Sequence, residues 1–173
     1  MAEESMPHQN INAHGGHGLF DDEPATMQGR RLIVEADGGA RGNPGPAAYG
    51  AVVRDAQTAK VLAAEGLPIG RATNNVAEYR GLVAGLEMAR EIDPTASLDV
   101  RMDSRLVIEQ MAGRWKVRHA DLKPLALQAA RLRPASVTWT WVPRELNQAA
   151  DSLVNQALDG DPVPRHYLLD QPG

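Results

Sequence analysis

The sequence predicts a single mixed α/β domain, and two observations carry the prediction. Candidate elements follow in the order strand, strand, strand, helix, strand, two helices, strand, helix, which suits a mixed sheet covered by helices. The 173 residues are 43% hydrophobic and 23% charged, enough apolar side chain for one core and the length of one ordinary domain. Only 4% are aromatic, so the core is aliphatic. No internal repeat is visible.

Residues 31–37 (RLIVEAD) form a short apolar run closed by Gly38-Gly39, the signature of a strand leading into a turn. Residues 49–54 and 60–67 read as two further strands, and the short Asp55-Ala56-Gln57-Thr58 connection makes them a hairpin. Residues 74–92 are rich in Ala, Leu, Glu and Arg, carry apolar residues at helical spacing and are closed by Asp93-Pro94. Residues 97–102 form a fourth strand. Residues 104–111 form a short helix ended by Gly113, and 121–132 a helix stopped by Pro134. Residues 137–142 alternate Val and Trp with Thr, a strand of period two. The last helix is 147–158, closed near Gly160.

Charge divides the chain. Residues 1–29 hold Glu3, Glu4, Asp21, Asp22 and Glu23 with no Lys or Arg, a net of −5, and read as a disordered acidic tail. His8, His14 and His17 in it read as solvated residues rather than a metal site. Residues 30–160 hold 17 Lys and Arg against 15 Asp and Glu, a net of +2. Residues 161–173 read as a C-terminal tail of net −1, which returns the overall −4. Taken whole, −4 argues mildly against a nucleic-acid partner; the folded part taken alone does not. With no Cys there is no disulfide, thiolate metal site or cysteine nucleophile. No stretch approaches the ~20 apolar residues of a membrane helix, and no signal peptide is visible. A soluble cytoplasmic protein is the expectation.

Four acids stand on apolar elements. Asp37 ends the first strand and Asp103 the fourth, where open α/β sheets place their sites. Glu78 shares a helix face with Leu82, Gly85 and Ala89, and Asp151 one with Val154 and Leu158, so both face the sheet. Each alone has an ordinary explanation: a turn former at Asp37, a helix-dipole acid at Glu78, an N-cap at Asp103, an Arg pair at Asp151. Together they imply converging, desolvated carboxylates that need a cationic neighbour. Hard divalent cations with oxygen ligands answer that need, Mg²⁺ usually where phosphate is the substrate.

The motifs Asp37-Gly38-Gly39-Ala40-Arg41-Gly42-Asn43-Pro44-Gly45-Pro46, Thr73-Asn74-Asn75-Val76-Ala77-Glu78, Met102-Asp103-Ser104 and Trp141-Val142-Pro143-Arg144-Glu145-Leu146-Asn147-Gln148-Ala149-Ala150-Asp151 make the chain resemble ribonuclease HI over about residues 30–159. The resemblance implies a five-stranded mixed sheet, the first three strands antiparallel, with helices on both faces. It implies hydrolysis of the RNA strand of RNA/DNA hybrids, leaving 5′-phosphate and 3′-hydroxyl ends. Asp37, Glu78, Asp103 and Asp151 match the family's metal-binding carboxylates. Asp37 would bridge two Mg²⁺ ions, with Mn²⁺ a substitute. Asp151 would help hold the ion that activates water, and Glu78 and Asp103 the ion at the leaving oxygen. Asn43, Arg71, Thr73, Asn74, Asn75, Ser104, Lys116 and Asn147 are the candidate substrate contacts. For Asn74 a helix cap is an equal alternative. Double-stranded RNA stays open as a second substrate, and nothing points to an obligate protein partner.

Three departures from the family pattern stand out. The loop before Asp151 offers Arg144 in place of a catalytic His, and Arg, always protonated, can stabilise phosphate or leaving-group charge but not shuttle protons. The basic protrusion of longer members is reduced to residues 113–123, where Lys116, Arg118, His119 and Lys123 remain and Trp115 reads as a core anchor. The subgroup with this Val-Pro-Arg form includes fusions to a C-terminal phosphatase domain, which the thirteen residues after Gly160 are expected not to contain. Two other readings compete: a catalytically silent nucleic-acid-binding module, and a DNA nuclease of the same fold group.

Overall fold

The computed structural model describes residues 29–168. The acidic tail inferred for residues 1–29 lies, but for Gly29, outside them. Six strands form one sheet: β1 (Arg31–Ala40), β2 (Gly45–Asp55), β3 (Val61–Ala72), β4 (Ser97–Met102), β5 (Val137–Trp141) and β6 (Val163–Tyr167), in the spatial order β5-β4-β1-β2-β3-β6. Four α-helices accompany them: α1 (Asn74–Ile92), α2 (Arg105–Met111), α3 (Lys123–Leu132) and α4 (Gln148–Leu158). β1, β2 and β3 pair antiparallel, while β4 runs parallel to both β1 and β5.

The sheet corrects the expected count of five. Residues 163–167, read as tail, form β6 antiparallel to β3. The segment Val-Pro-Arg-His-Tyr contains a proline, tolerated here because β6 is an edge strand. Its anchor lies 100 residues away in sequence, where the Arg165 guanidinium meets Glu65 on β3. No local pattern announces such a pairing. β2 and β3 are also longer than their apolar runs, and their register shifts at Ala47/Ala48, opposite Gly70 and Pro68, and again at Val53/Arg54.

The main core lies on one face of the sheet. Leu32, Val34, Ala51 and Val53 pack there against Leu82, Leu86 and Met88 of α1 and against Val107, Ile108 and Ala129 of α2 and α3. The other face is thinner, with Ala48 packing on Val154 and Ala157 of α4. Helices therefore cover both faces, as the resemblance implied. No described helix is long and apolar enough to cross a membrane.

Candidate active site

Asp37 and Asp103 meet because β1 and β4 are parallel neighbours. Glu35 lies opposite Arg101, so two residues further on Asp37 comes level with Asp103, just past the end of β4. Glycines then bring the helices in. A Cβ on Gly38 would stand 2.1 Å from the Ala77 carbonyl carbon, and one on Gly81 2.5 Å from the Asp37 carbonyl oxygen. Only bare backbone lets α1 sit so close, which sets Glu78 beside Asp37. On the opposite face, a Cβ on Gly50 would stand 2.3 Å from the Ala150 carbonyl oxygen. That approach sets Asp151 at the same place, since Gly50 is the cross-strand partner of Asp37.

All four carboxylates line one open pocket of about 370 Å³, with Arg41, Asn74, Arg144 and Asn155 also in its wall. Burial, together with Asp103, Asp151 and Glu78, pushes the Asp37 carboxyl up to about 8, against an opposing hydrogen bond from the Gly38 backbone. Burial pushes Glu78 up to about 7, opposed by the Ser104 hydroxyl and helped by Asp103. The site holds more negative charge than it can carry bare. Among the described residues no three Asp, Glu, His or Cys side chains, as they stand, form a group that could already hold a metal ion. The arrangement is an open bowl of oxygen donors, and its repulsion and all-oxygen chemistry fit hard divalent cations.

Supporting side chains hold the acids in place. The Ser104 hydroxyl donates to Glu78 at 2.8 Å and accepts from the Val107 N–H, so Ser104, rather than Asp103, caps α2. Asn147 was expected to contact substrate; instead it is fully buried. Its amide donates to the Ala36 carbonyl at 2.9 Å and to Asp103 at 3.3 Å, so it positions Asp103 from behind. Its Oδ1 has no hydrogen-bond partner among the described residues. Arg144 is exposed, with Nη2 3.6 Å from Asp151, so the Arg pair open for Asp151 is present at the mouth of the same pocket.

The other candidate contacts form a second group. Thr73 caps α1 by accepting from the Val76 N–H. Asn74 is therefore not the cap; its Oδ1 accepts from the Ala40 N–H, while its own N–H donates to Asn43 Oδ1. Together they tie the β1–β2 loop to the start of α1. Arg71 and Thr73 line a separate shallow depression with Pro44 and Pro124. Asn75 and Lys116 are exposed and line neither. Trp115 is no core anchor: it is 46% exposed.

Sequence reasoning missed Trp141 as a site residue. Its indole N–H donates to the Asp103 carbonyl at 3.1 Å, and the Arg105 guanidinium stacks 4.7 Å from its ring centroid. Its place one strand-end away from Asp103 was the available signal. Arg41 was quoted in the first motif but given no role; it lines the pocket and pairs with Asp159 at 2.5 Å.

The mixed sheet thus gathers four carboxylates, from the ends of β1 and β4 and from α1 and α4, in one open pocket, the arrangement of a candidate active site. The comparisons with known proteins agree. The reverse transcriptase-like family model matches residues 35–157. Ribonuclease HI of Halobacterium salinarum is 42% identical over 134 residues, covering 76% of this chain and 66% of that protein. Ribonuclease H of Hydrogenovibrio crunogenus is 35% identical over 140 residues, covering 71% and 92%. The solved N-terminal RNase H domain of Rv2228c from Mycobacterium tuberculosis superposes with a TM-score of 0.74 at 53% identity, covering 77% of this chain and 96% of that one. The chain belongs to the ribonuclease H family. It spans only 36% of the length of the bifunctional protein Rv2228c itself, which is 55% identical over 131 residues.

Proposed function

We propose that this chain hydrolyses the RNA strand of RNA/DNA hybrids, with two divalent ions, Mg²⁺ or in substitution Mn²⁺, held by Asp37, Glu78, Asp103 and Asp151. The convergence of these four acids from four elements in one solvent-open pocket carries the reading. A related enzyme, LC11-RNase H1, 39% identical with a TM-score of 0.70, has been solved in complex with an RNA/DNA hybrid, which supports the substrate class. Bound ions supply the charge stabilisation that phosphodiester hydrolysis needs.

The chain's own residues do the rest. Burial first, and then the charges of Asp103, Asp151 and Glu78, disfavour the Asp37 carboxylate in the bare pocket. Ser104 holds Glu78 and Asn147 holds Asp103 in fixed rotamers, so neither acid need be reoriented when substrate arrives. Arg144, at the mouth, is free to leave its long contact with Asp151 for a phosphate oxygen. It supplies charge and not a proton. The Asn43–Asn74–Ala40 ties hold polar side chains beside the pocket, in reach of a 2′-hydroxyl, the group that tells RNA from DNA.

The test is a cleavage panel of RNA/DNA hybrid, double-stranded RNA, DNA duplex and single-stranded RNA, with Mg²⁺, Mn²⁺ or EDTA. The expected result is cutting of the hybrid's RNA strand, abolished by EDTA. An intact hybrid beside a cut DNA duplex would overturn the substrate assignment, and cutting in EDTA the metal requirement. Cleavage of double-stranded RNA would extend the substrate range without changing the site.

A further inference from the structure

A second cavity lies at the opposite end of the sheet. The active site sits past the C-terminal ends of β1 and β4, whereas this cavity opens beside Leu98, at the N-terminal end of β4. Five residues of strand separate Leu98 from Asp103, roughly 16 Å at the usual rise. The cavity measures about 190 Å³, below the ~300 Å³ at which small-molecule sites begin and of the order of one large side chain.

Its floor is apolar, formed by Leu86, Leu98 and Leu132, and its rim carries Arg90, Arg131 and Arg133. Arg90 and Arg131 stand in the last turns of α1 and α3, where they complement the helix dipoles. That accounts for their position; all three guanidinium groups are exposed at the rim. None of the three side chains makes a hydrogen bond or ion pair among the described residues. The one carboxylate in the wall, Asp93, is occupied by the backbone N–H and hydroxyl of Thr95.

The chain itself supplies a matching segment. Gly29, where the described residues begin, lines an adjoining depression that shares Pro94, Ala96 and Pro134 with this cavity. The residues before it include Leu19-Phe20-Asp21-Asp22-Glu23: two large apolar side chains, one of them the only Phe of the chain, followed by three consecutive acids. Glu23 is six residues from Gly29, a reach of about 20 Å when extended. Attachment at that distance gives an effective concentration on the order of millimolar.

We propose that residues 19–23 dock in this cavity, Phe20 on the leucine floor and the acids on Arg90, Arg131 and Arg133. The docking has a functional consequence. A segment of net −5 tethered at Gly29 would otherwise reach the substrate face, since a 28-residue chain spans about 30 Å on average. Held at the far pole, Asp21, Asp22 and Glu23, three of its five negative charges, lie beyond the ~8 Å Debye length of physiological salt from the face that meets a phosphate backbone.

The absence of cysteine makes the test direct. A nitroxide on Gly18→Cys in the full chain is expected to broaden the amide resonances of Leu98, Leu132 and Arg133 selectively. The broadening should disappear in Arg90→Gln/Arg131→Gln/Arg133→Gln and in Asp21→Asn/Asp22→Asn/Glu23→Gln. Broadening spread evenly over the domain, or unchanged in the triple variants, overturns the docking. Broadening passed between separately labelled chains identifies a second copy as the occupant and overturns it equally. At low salt the triple arginine variant should raise KM for a hybrid about threefold, and neutralising Asp21, Asp22 and Glu23 in the same chain should restore it. A KM that stays raised after that neutralisation means the arginines contact the duplex themselves and overturns the shielding role.

Discussion

Two buried acids in this molecule meet opposite fates. Glu65 is 4% exposed and Asp37 7%. Around Glu65 everything is paired: Arg165 donates to both carboxylate oxygens, at 2.8 and 3.2 Å, and the Tyr49 hydroxyl donates at 2.5 Å. Arg165 also reaches Glu87 and Glu91, fastening β6 to α1. Burial and the Glu65 carboxylate push the Tyr49 phenol up, so the proton stays on Tyr49 as the donor. Around Asp37 the neighbours are other acids, and burial together with their charge raises its carboxyl to about 8. A buried acid that brings its own cation is structure. A buried acid surrounded by acids is incomplete until a cation from outside arrives.

Substitutions can break this contrast on either side. Asp37→Asn is expected to lower hybrid cleavage by at least ~10³-fold, the scale of losing a principal charge-stabilising group, while circular dichroism shows the fold retained. Survival of cleavage would put Asp37 outside the chemistry. On the other side, Arg165→Ala leaves Glu65 without its cation and should cost on the order of 3 kcal/mol in urea unfolding. Arg165→Met with Glu65→Leu should recover most of that loss. A double variant as unstable as the single one would show that packing, not charge, holds β6.

Smaller effects sharpen the picture. Asn147→Ala should lower kcat by roughly 10- to 100-fold, the usual range for a residue that orients a metal ligand, and leave KM for the hybrid nearly unchanged. A loss confined to KM would return Asn147 to the substrate contacts. In metal-free protein, a carboxyl raised from 3.8 to about 8 favours the fold below pH 4, and that contribution is lost as pH rises through 8. Asp37→Asn should therefore unfold at a higher temperature than the parent chain above pH 8, by on the order of 1–2 kcal/mol because the pocket is open to water, and show no advantage below pH 4. Equal melting curves at both pH values would mean the acids are not strained. Arg144→Ala, at an exposed position, should slow turnover only about tenfold; a loss matching Asp37→Asn would make it essential.

The acids were legible in the sequence because each contradicts its own surroundings. Asp37 follows Leu-Ile-Val-Glu-Ala, and Glu78 and Asp151 occupy apolar helix faces, so a local pattern exposes them. For Asn147 the sequence suggests a substrate contact, because a polar residue just before the Asp151 helix carries no local sign of burial. Its burial depends on Ala36, 111 residues away. Trp115 failed in the other direction: a large aromatic reads as core unless the surface it meets is known.

What the sequence determined by itself is the order of elements, the mixed α/β class and the four carboxylates, all consequences of periodicity and of acids placed where burial is costly. The tertiary structure alone decided the sixth strand, the roles of Ser104, Asn147 and Trp141 behind the acids, and the approach of α1 and α4 that glycines 38, 81 and 50 permit. Those features rest on contacts between residues dozens of positions apart, and such contacts leave no period along the chain.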